Sequence, residues 1–120
     1  MKTVLEASEQ VVKQGRANLQ RGLETAGGFL YLTNRRLVFE AHSFNFQRQF
    51  TQIALPDIEL VVPCWTKLLG VLPLLPNSLS IQTKSDVFNI VLSGRAAWRA
   101  ALESEMRVSA RVLGKLVPDE

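Results

Sequence analysis

Two side chains in this 120-residue sequence have the types needed for covalent or metal chemistry, namely Cys64 and His42. A thiol beside an imidazole can act as a nucleophile with its base, but that chemistry also needs an orienting group and an oxyanion site, and the residue spacing supplies neither. One cysteine and one histidine are too few for a Cys/His zinc site, and a single cysteine cannot form a disulfide within its own chain. We therefore predict a surface histidine, a cysteine packed as a small hydrophobe, and a protein with no catalytic residue, no metal and no cofactor.

Binding by apolar side chains is suggested by residues 63–76, which read PCWTKLLGVLPLLP. This segment joins two predicted strands and is far more apolar than a surface connector normally is. Its leucines could fold back over the domain as a lid or short helix, form a self-associating patch, or insert into a bilayer. Three or four buried leucine-sized side chains would contribute about 5–10 kcal/mol before the cost of association. The candidate lipid- or partner-binding residues are Trp65, Lys67, Leu68, Leu69 and Leu72.

Arginine side chains are candidates for electrostatic contacts with a partner. Four of them recur at multiples of four residues near the C-terminus, so on a helix they would form a slowly spiralling basic stripe opposite the apolar face. Such a stripe is either a solvated face or a site of attraction to an anionic surface, in which case binding weakens with added salt. The candidates are Arg95, Arg99, Arg107 and Arg111 in this stripe, and Arg35 and Arg36 at a predicted hairpin turn.

The overall charge is mildly basic. The 14 lysines and arginines against 11 acidic residues give a formal charge of +3 and a pI near 9.4. No basic run is longer than two residues, so we predict no nucleic-acid partner, whereas an anionic membrane surface is compatible with this charge. The first ten residues contain acids and no continuous apolar stretch, unlike a secretory signal, and no stretch reaches the roughly 18 apolar residues of a membrane-spanning helix. We predict a cytoplasmic protein, with peripheral membrane association as an option.

The elements that must position these residues are mostly strands. Segments rich in β-branched, aromatic and leucine residues alternate with Gly, Pro, Asn and Asp, which is typical of strands and turns. In residues 36–42, Leu37 and Phe39 alternate with Val38 and Glu40, which predicts a half-buried strand with one face toward solvent. Seven strands are predicted, at residues 11–19, 28–33, 36–42, 50–55, 58–62, 78–83 and 87–92.

Two of the connections between these strands are short enough to be tight turns. Residues 33–36 join two strands as a hairpin, in which Asn34 tolerates the positive φ that such turns require. Residues 84–86 form the second tight turn, and residues 21–28 are predicted to be a loop. Short strands joined by turns without intervening helices predict an antiparallel sandwich or barrel.

The last part of the chain has the periodicity of a helix. Over residues 94–113, apolar residues recur at three- and four-residue spacing and predict one buried face. These residues are Trp98, Leu102, Met106 and Leu113, with Ala97, Ala101, Val108 and Val112 beside them. A lone amphipathic helix after an all-strand body must bury its apolar face against that body, most simply as a plug over one end of a barrel. We predict a mainly β protein with one C-terminal α-helix, as a partly open antiparallel barrel or sandwich of about seven strands capped by that helix. It forms one domain over residues 1–120, with a core at about residues 13–113 and short tails.

Four sequence motifs resemble those of the GRAM domain, a branch of the pleckstrin-homology (PH)-like superfamily. They are GFLYLTNRRLVF at residues 28–39, LPDI at residues 55–58, LSIQT at residues 79–83, and Trp98 in the predicted helix. The resemblance implies a sheet barrel closed by one C-terminal helix. It also implies a non-catalytic binding module for membrane lipids, phosphoinositides in particular, or for protein partners.

Two functions remain open from the residues and the resemblance together. The first is peripheral association with anionic membrane lipid, which the family resemblance and the mild positive charge favour. The alternative is a protein-interaction or homo-oligomerisation scaffold that uses residues 63–76 and does not bind lipid. Neither function requires a catalytic residue.

Overall fold

The computed structural model describes residues 1–21, 24–42, 50–68 and 72–116, and for residues 21, 24, 65–68, 72–76, 115 and 116 it describes the backbone only. Among these residues the fold is mainly β with one C-terminal α-helix, as predicted. A short 3-10 helix that was not predicted lies between the fourth and fifth strands. In chain order the elements are β1 (Val11–Arg21), β2 (Glu24–Thr33), β3 (Arg36–Ala41), β4 (Phe50–Ala54), the 3-10 helix (Leu55–Asp57), β5 (Leu60–Leu68), β6 (Leu72–Gln82), β7 (Val87–Leu92) and α1 (Arg95–Leu116).

The strands form a single sheet in the order β4-β3-β2-β1-β7-β6-β5. Every pairing along this order is antiparallel. The outermost strands, β4 and β5, do not pair with each other over the described residues, so the sheet stays open between them. Helix α1 lies against the 3-10 helix, β5 and β6. The predicted partly open antiparallel barrel with a C-terminal helix is therefore confirmed.

The first half of α1 closes the barrel. Trp98 is 5% exposed and Leu102 is 2% exposed, and both belong to the same core cluster as the inward-facing strand residues. The indole packs against Gly15, where a Cβ would lie in ordinary van der Waals contact, 3.4 Å from Trp98 Cζ2. The chain enters the helix through Gly94, whose φ of +71° is rarely adopted by residues that carry a side chain. The predicted inward orientation of Trp98 and Leu102 is confirmed.

The second half of α1 departs from the prediction. The helix continues through Gly114 instead of ending there. Val108, Val112 and Leu113, which were predicted to lie on or beside the buried face, are 44%, 53% and 43% exposed. A helix of 22 residues is about 33 Å long, and its two buried residues, Trp98 and Leu102, lie within its first three turns. The apolar periodicity therefore continues past the last turn that has a surface to pack against.

Strand β2 begins earlier than the sequence predicts. Residues 24–28, predicted as part of a loop, pair with β1 from Glu24 opposite Arg21 to Gly28 opposite Ala17. Two consecutive glycines weaken the local strand pattern, but the second of them is required by packing. A Cβ at Gly28 would collide with the carbonyl oxygen of Glu40 on the neighbouring strand. The glycines therefore allow close strand approach in β2 instead of marking a loop.

The short N-terminal tail that the sequence predicts packs against the sheet. Residues 1–9, which we name the N-terminal strap, are held on the outer face of β2 and β3. The Glu40 carboxylate accepts hydrogen bonds from the Thr3 amide at 2.7 Å, the Thr3 hydroxyl at 2.6 Å and the Lys2 amide at 3.0 Å. Tyr31 and Val38 on the same face are buried, although neither belongs to the barrel core. Strand β3 is consequently buried on both faces, which corrects the prediction of a half-buried strand.

An ion pair fixes the other end of the strap to the β2–β3 hairpin. Arg36 donates to both carboxylate oxygens of Glu9, from Nε at 2.8 Å and from Nη2 at 3.0 Å, and the Thr33 hydroxyl donates to the same carboxylate at 2.7 Å. Asn34 accepts a hydrogen bond from the Gln10 amide and donates one to the Ser8 carbonyl oxygen. Asn34 does not have the positive φ that the turn was predicted to need. Its side chain instead secures the strap.

This ion pair makes the stability of the domain depend on pH. The hydrogen bond from Arg36 lowers the pKa of Glu9 from 4.5 to about 2. Because the folded-state pKa is the lower one, the stabilisation is complete above pH 4.5 and is lost as the pH falls toward 2. We expect a loss of about 3 kcal/mol in the free energy of unfolding across this range, measured by urea denaturation at each pH. Glu9→Gln should reduce this pH dependence, and an unchanged profile would contradict the assignment.

Candidate functional site

Strands β5 and β6 extend beyond the rest of the sheet as a two-stranded ribbon. Strand β6 pairs with β7 only between Ser78 and Gln82, but its pairing with β5 continues to Leu72 opposite Leu68. We name residues 64–77 the arm. Residues 63–76 were predicted to be a connector between two strands, and this was wrong, because their described backbone belongs to the two paired strands themselves. The pairing register shifts near Thr66, as it does at β-bulges, which increase local twist.

The candidate apolar residues fall on both strands of the arm. Trp65, Lys67 and Leu68 lie in β5, Leu72 is the first residue of β6, and Leu69 lies outside the described residues. Among the described residues, the strands of the arm beyond Ser78 pair only with each other. A two-stranded hairpin by itself is marginally stable in water, so an arm of this apolar composition favours contact with a further surface.

Helix α1 begins beside the base of the arm. Arg95 Nη1 donates a hydrogen bond to the Cys64 carbonyl oxygen at 3.0 Å. Arg99 and Glu103 form an ion pair one helical turn apart, with 3.6 Å between Nε and Oε1. Arg107 and Arg111 are exposed and form no ion pair with any described residue. The predicted basic stripe is thus tied to the arm at its first residue and faces solvent at its last two.

The two arginines of the β2–β3 hairpin bind to residues of the N-terminal strap. Arg36 is only 12% exposed and is committed to Glu9. Arg35 donates to the Ala7 carbonyl oxygen at 2.7 Å and lies 3.3 Å from a Glu6 carboxylate oxygen. Sequence reasoning missed these partners because Glu9 and Arg36 are 27 residues apart and no local pattern links them. Arg36 already has an internal counter-ion, so we do not include it in the binding surface proposed below.

A cleft of about 420 Å³ lies at the end of the sheet opposite the arm. The Leu60–Gln82 and Gln82–Val87 pairings mark this end of β5, β6 and β7. The charged residues that line the cleft are Asp57, Glu59, Asp86 and Lys84. Three carboxylates and one ammonium group disfavour an anionic ligand here. The charged groups are therefore distributed unequally between the two ends of the domain.

The two candidates for covalent chemistry, His42 and Cys64, both lie among the described residues. His42 is exposed, as predicted, and Cys64 is partly buried with its Sγ 4.0 Å from Asn89 Oδ1. Among the described residues, no three His, Cys, Asp or Glu side chains are grouped so that they could hold a metal ion. Within the same part of the chain, no helix has the length and apolar character needed to cross a lipid bilayer.

The family model of the GRAM domain matches residues 1–94. The chain belongs to the GRAM domain family. GRAM and PH-like domains are typically lipid- or protein-binding modules and are generally non-catalytic. The match begins at residue 1 and so includes the N-terminal strap, and it covers β1 through β7. No curated protein matches the sequence.

Solved structures with a similar fold have low sequence identity to this GRAM domain. The C-terminal domain of an unknown protein from Leishmania infantum has a TM-score of 0.69 at 17% identity, covering 83% of this chain and 86% of that one. The Vps36 N-terminal PH domain has a TM-score of 0.68 at 16% identity, with coverages of 90% and 86%. The N-terminal PH domain of human ARAP2 has a TM-score of 0.62 at 10% identity, with coverages of 91% and 88%. At these identities the similarity shows a shared fold.

Proposed function

We propose that this GRAM domain is a non-catalytic module that associates peripherally with anionic membrane surfaces through its arm. The observation that carries the proposal is the arm itself, a ribbon of apolar sequence that extends past the sheet. The interfacial region of a bilayer accepts aromatic and leucine side chains together with lysine, which is the composition of this segment. Trp65, Lys67, Leu68, Leu69 and Leu72 are the proposed contact residues.

The distribution of charge supports this orientation. Lys67 is the one charged residue of the arm sequence, and Arg95 lies at its base. The acidic cleft with Asp57, Glu59 and Asp86 lies at the opposite end of the same strands. An anionic surface such as the cytoplasmic leaflet would attract the arm end and repel the cleft end. A lysine or arginine near such a surface contributes about 1 kcal/mol, and the contribution falls with added salt.

The alternative binding partner of the arm is a second copy of the chain. Strand β5 is an edge of the sheet, and β6 has no described neighbour on its other side beyond Ser78. Strand edges that are not covered by a further strand can pair with another chain. A homo-oligomer formed through the arm would not require lipid, so sedimentation and vesicle binding separate the two functions.

Changing both leucines at the end of the arm tests the membrane function. Leu68 and Leu72 are opposite each other, and their burial in a bilayer would contribute about 1.5–3 kcal/mol each. We expect Leu68→Ser with Leu72→Ser to weaken binding to phosphatidylcholine vesicles containing phosphatidylserine by about a hundredfold or more. Co-sedimentation with the vesicles at low and high salt provides the measurement.

A matched control removes the same number of exposed apolar side chains elsewhere. Val4 and Val87 are 84% and 57% exposed and lie outside the arm. The Val4→Ser, Val87→Ser variant should bind vesicles as the unchanged protein does. Equal vesicle recovery for the arm variant and this control would refute the membrane function. Loss of a dimer in the arm variant, seen by sedimentation without vesicles, would instead support the scaffold.

A further inference from the structure

A polar groove lies where three parts of the chain separate beside the base of the arm. The β1–β7 pairing runs from Gln20 opposite Asn89 to Ala17 opposite Leu92 and ends there. Beyond this point β1 continues beside β2, the chain after Leu92 turns into α1, and β6 continues into the arm. The separation leaves a groove of about 330 Å³.

The groove is lined by groups that favour an anion. Its cationic or titratable side chains are Arg16 and His42, and no carboxylate belongs to its described lining. Asn18, Asn77 and Ser93 supply amide and hydroxyl groups. Together they are the hydrogen-bond donors that a phosphate oxygen requires, with a guanidinium to balance its charge.

The positions of these groups depend on Phe29 and Gly27. The Arg16 guanidinium carbon lies 5.9 Å from the centre of the Phe29 ring, and the His42 ring meets the same ring edge-on at 5.3 Å. A Cβ at Gly27 would lie 2.9 Å from Asn18 Oδ1 and 3.3 Å from His42 Cδ2. Glycine at this position therefore lets the Asn18 and His42 side chains approach each other over β2.

Arg16 is available for a ligand. Its side chain is exposed, and no carboxylate of the described residues forms an ion pair with it. The Phe29 ring has no nitrogen or oxygen acceptor, so this contact does not engage the guanidinium N–H groups in a conventional hydrogen bond. Arg36, by contrast, is already neutralised by Glu9.

From this geometry we infer that the groove is a binding site for a phosphate group, carried by a lipid headgroup or by a soluble ligand. Arg16 provides the charge-assisted contact, and Asn18, His42 and Ser93 provide further hydrogen bonds. The site lies beside Asn77, at the base of the arm, so a lipid phosphate bound there would place the arm next to the bilayer. The lipid source rests on the proposed membrane function, whereas binding of inorganic phosphate does not.

Titration of the full chain with inorganic phosphate, followed by amide chemical shifts in NMR spectra, tests the site. We expect shifts centred on Arg16, Asn18 and Ser93, and Arg16→Gln should weaken phosphate binding by about tenfold or more. Lys84→Gln removes the same charge from an exposed turn at the opposite end and should leave phosphate binding unchanged. Gly27→Ala provides a second variant, because its Cβ meets only the ends of two side chains and should separate Asn18 from His42.

The vesicle measurement distinguishes the two sources of the phosphate. If the ligand is a lipid headgroup, less of the Arg16→Gln variant than of the Lys84→Gln variant should co-sediment with phosphatidylcholine vesicles that contain phosphatidic acid. If vesicles recover the two variants equally but Arg16→Gln binds inorganic phosphate more weakly, the site is assigned to a soluble phosphate.

The arm variant should bind inorganic phosphate normally even if it no longer binds vesicles. The groove can therefore be tested even if the membrane function fails. Shifts that lie elsewhere, or an equal titration for Arg16→Gln and Lys84→Gln, would overturn the inference.

Discussion

Arg36→Met is expected to lower the free energy of unfolding by about 3–5 kcal/mol at neutral pH. The substitution leaves the Glu9 carboxylate, whose side chain is 0% exposed, without the guanidinium that donates to both of its oxygens. An uncompensated charge in a buried position must either remain desolvated or take up a proton, and both cost stability. Methionine retains the apolar stem of the arginine, so the effect reports the lost charge pair. Urea denaturation of the purified domain provides the measurement.

The neighbouring arginine is the control for this effect. Arg35→Met removes the same charge from the same hairpin, but Arg35 and its partner Glu6 have side chains that are 44% and 60% exposed. Exposed pairs contribute about 1 kcal/mol or less, so this variant should remain close to the unchanged protein. A double variant with methionine at both Glu9 and Arg36 should recover part of the loss, because no buried charge then remains. Equal destabilisation by Arg36→Met and Arg35→Met would contradict the role of the buried pair.

Trp98→Ala is expected to destabilise the domain by about 3–5 kcal/mol, since it removes the largest side chain that α1 places in the core. The indole is 5% exposed, packs over Gly15, and has Lys13 Nζ 5.2 Å from its ring centre. Without it, the helix retains Leu102 as its one fully buried contact among the described residues. Thermal or urea denaturation should show the loss, and the amides of α1 should exchange with solvent faster than those of the strands.

An exposed residue on the same helix separates packing from helix propensity. Val112 is 53% exposed, and Val112→Ala should change the free energy of unfolding by no more than about 0.5 kcal/mol. If Trp98→Ala were as mild as Val112→Ala, the helix would not be the element that closes the barrel. If Trp98→Ala lowered the free energy of unfolding but left amide exchange in α1 unchanged, the lost packing would belong to the sheet instead of the helix.

The elements that the sequence predicts well are those with a local signal. Alternating residues in β7 and the three- to four-residue spacing around Trp98 each occupy a short window, and the side chains within that window determine which face can be buried. The tight turns at residues 33–36 and 84–86 are similarly local, since the Thr33 hydroxyl accepts hydrogen bonds from the Arg35 and Arg36 amides and the Thr83 hydroxyl accepts one from the Asp86 amide. These signals were sufficient for the fold class and for the inward face of α1.

The arm shows where a local signal becomes ambiguous. A continuous apolar run is compatible with a buried strand, a lid or a short helix, because it has no alternation to separate them. Proline at position 63 and glycine at position 70 further weaken the strand pattern. The long pairing between β5 and β6 is what identifies the segment as a hairpin. The start of β2 was also mispredicted, because its glycines resemble a loop. Gly28 is instead required there by the close approach of β3.

By itself the sequence determined the strand-rich class, the closing helix and the apolar character of residues 63–76. Each of these features depends only on the types and spacing of residues that are close together in the chain. Tertiary structure alone decided that Glu9 meets Arg36, that Glu40 receives the strap, that Arg16 and His42 line one groove, and that the arm extends beyond β7. The physical reason is distance along the chain. These contacts join residues up to 38 positions apart, and only the folded sheet, through its register and twist, brings such residues together.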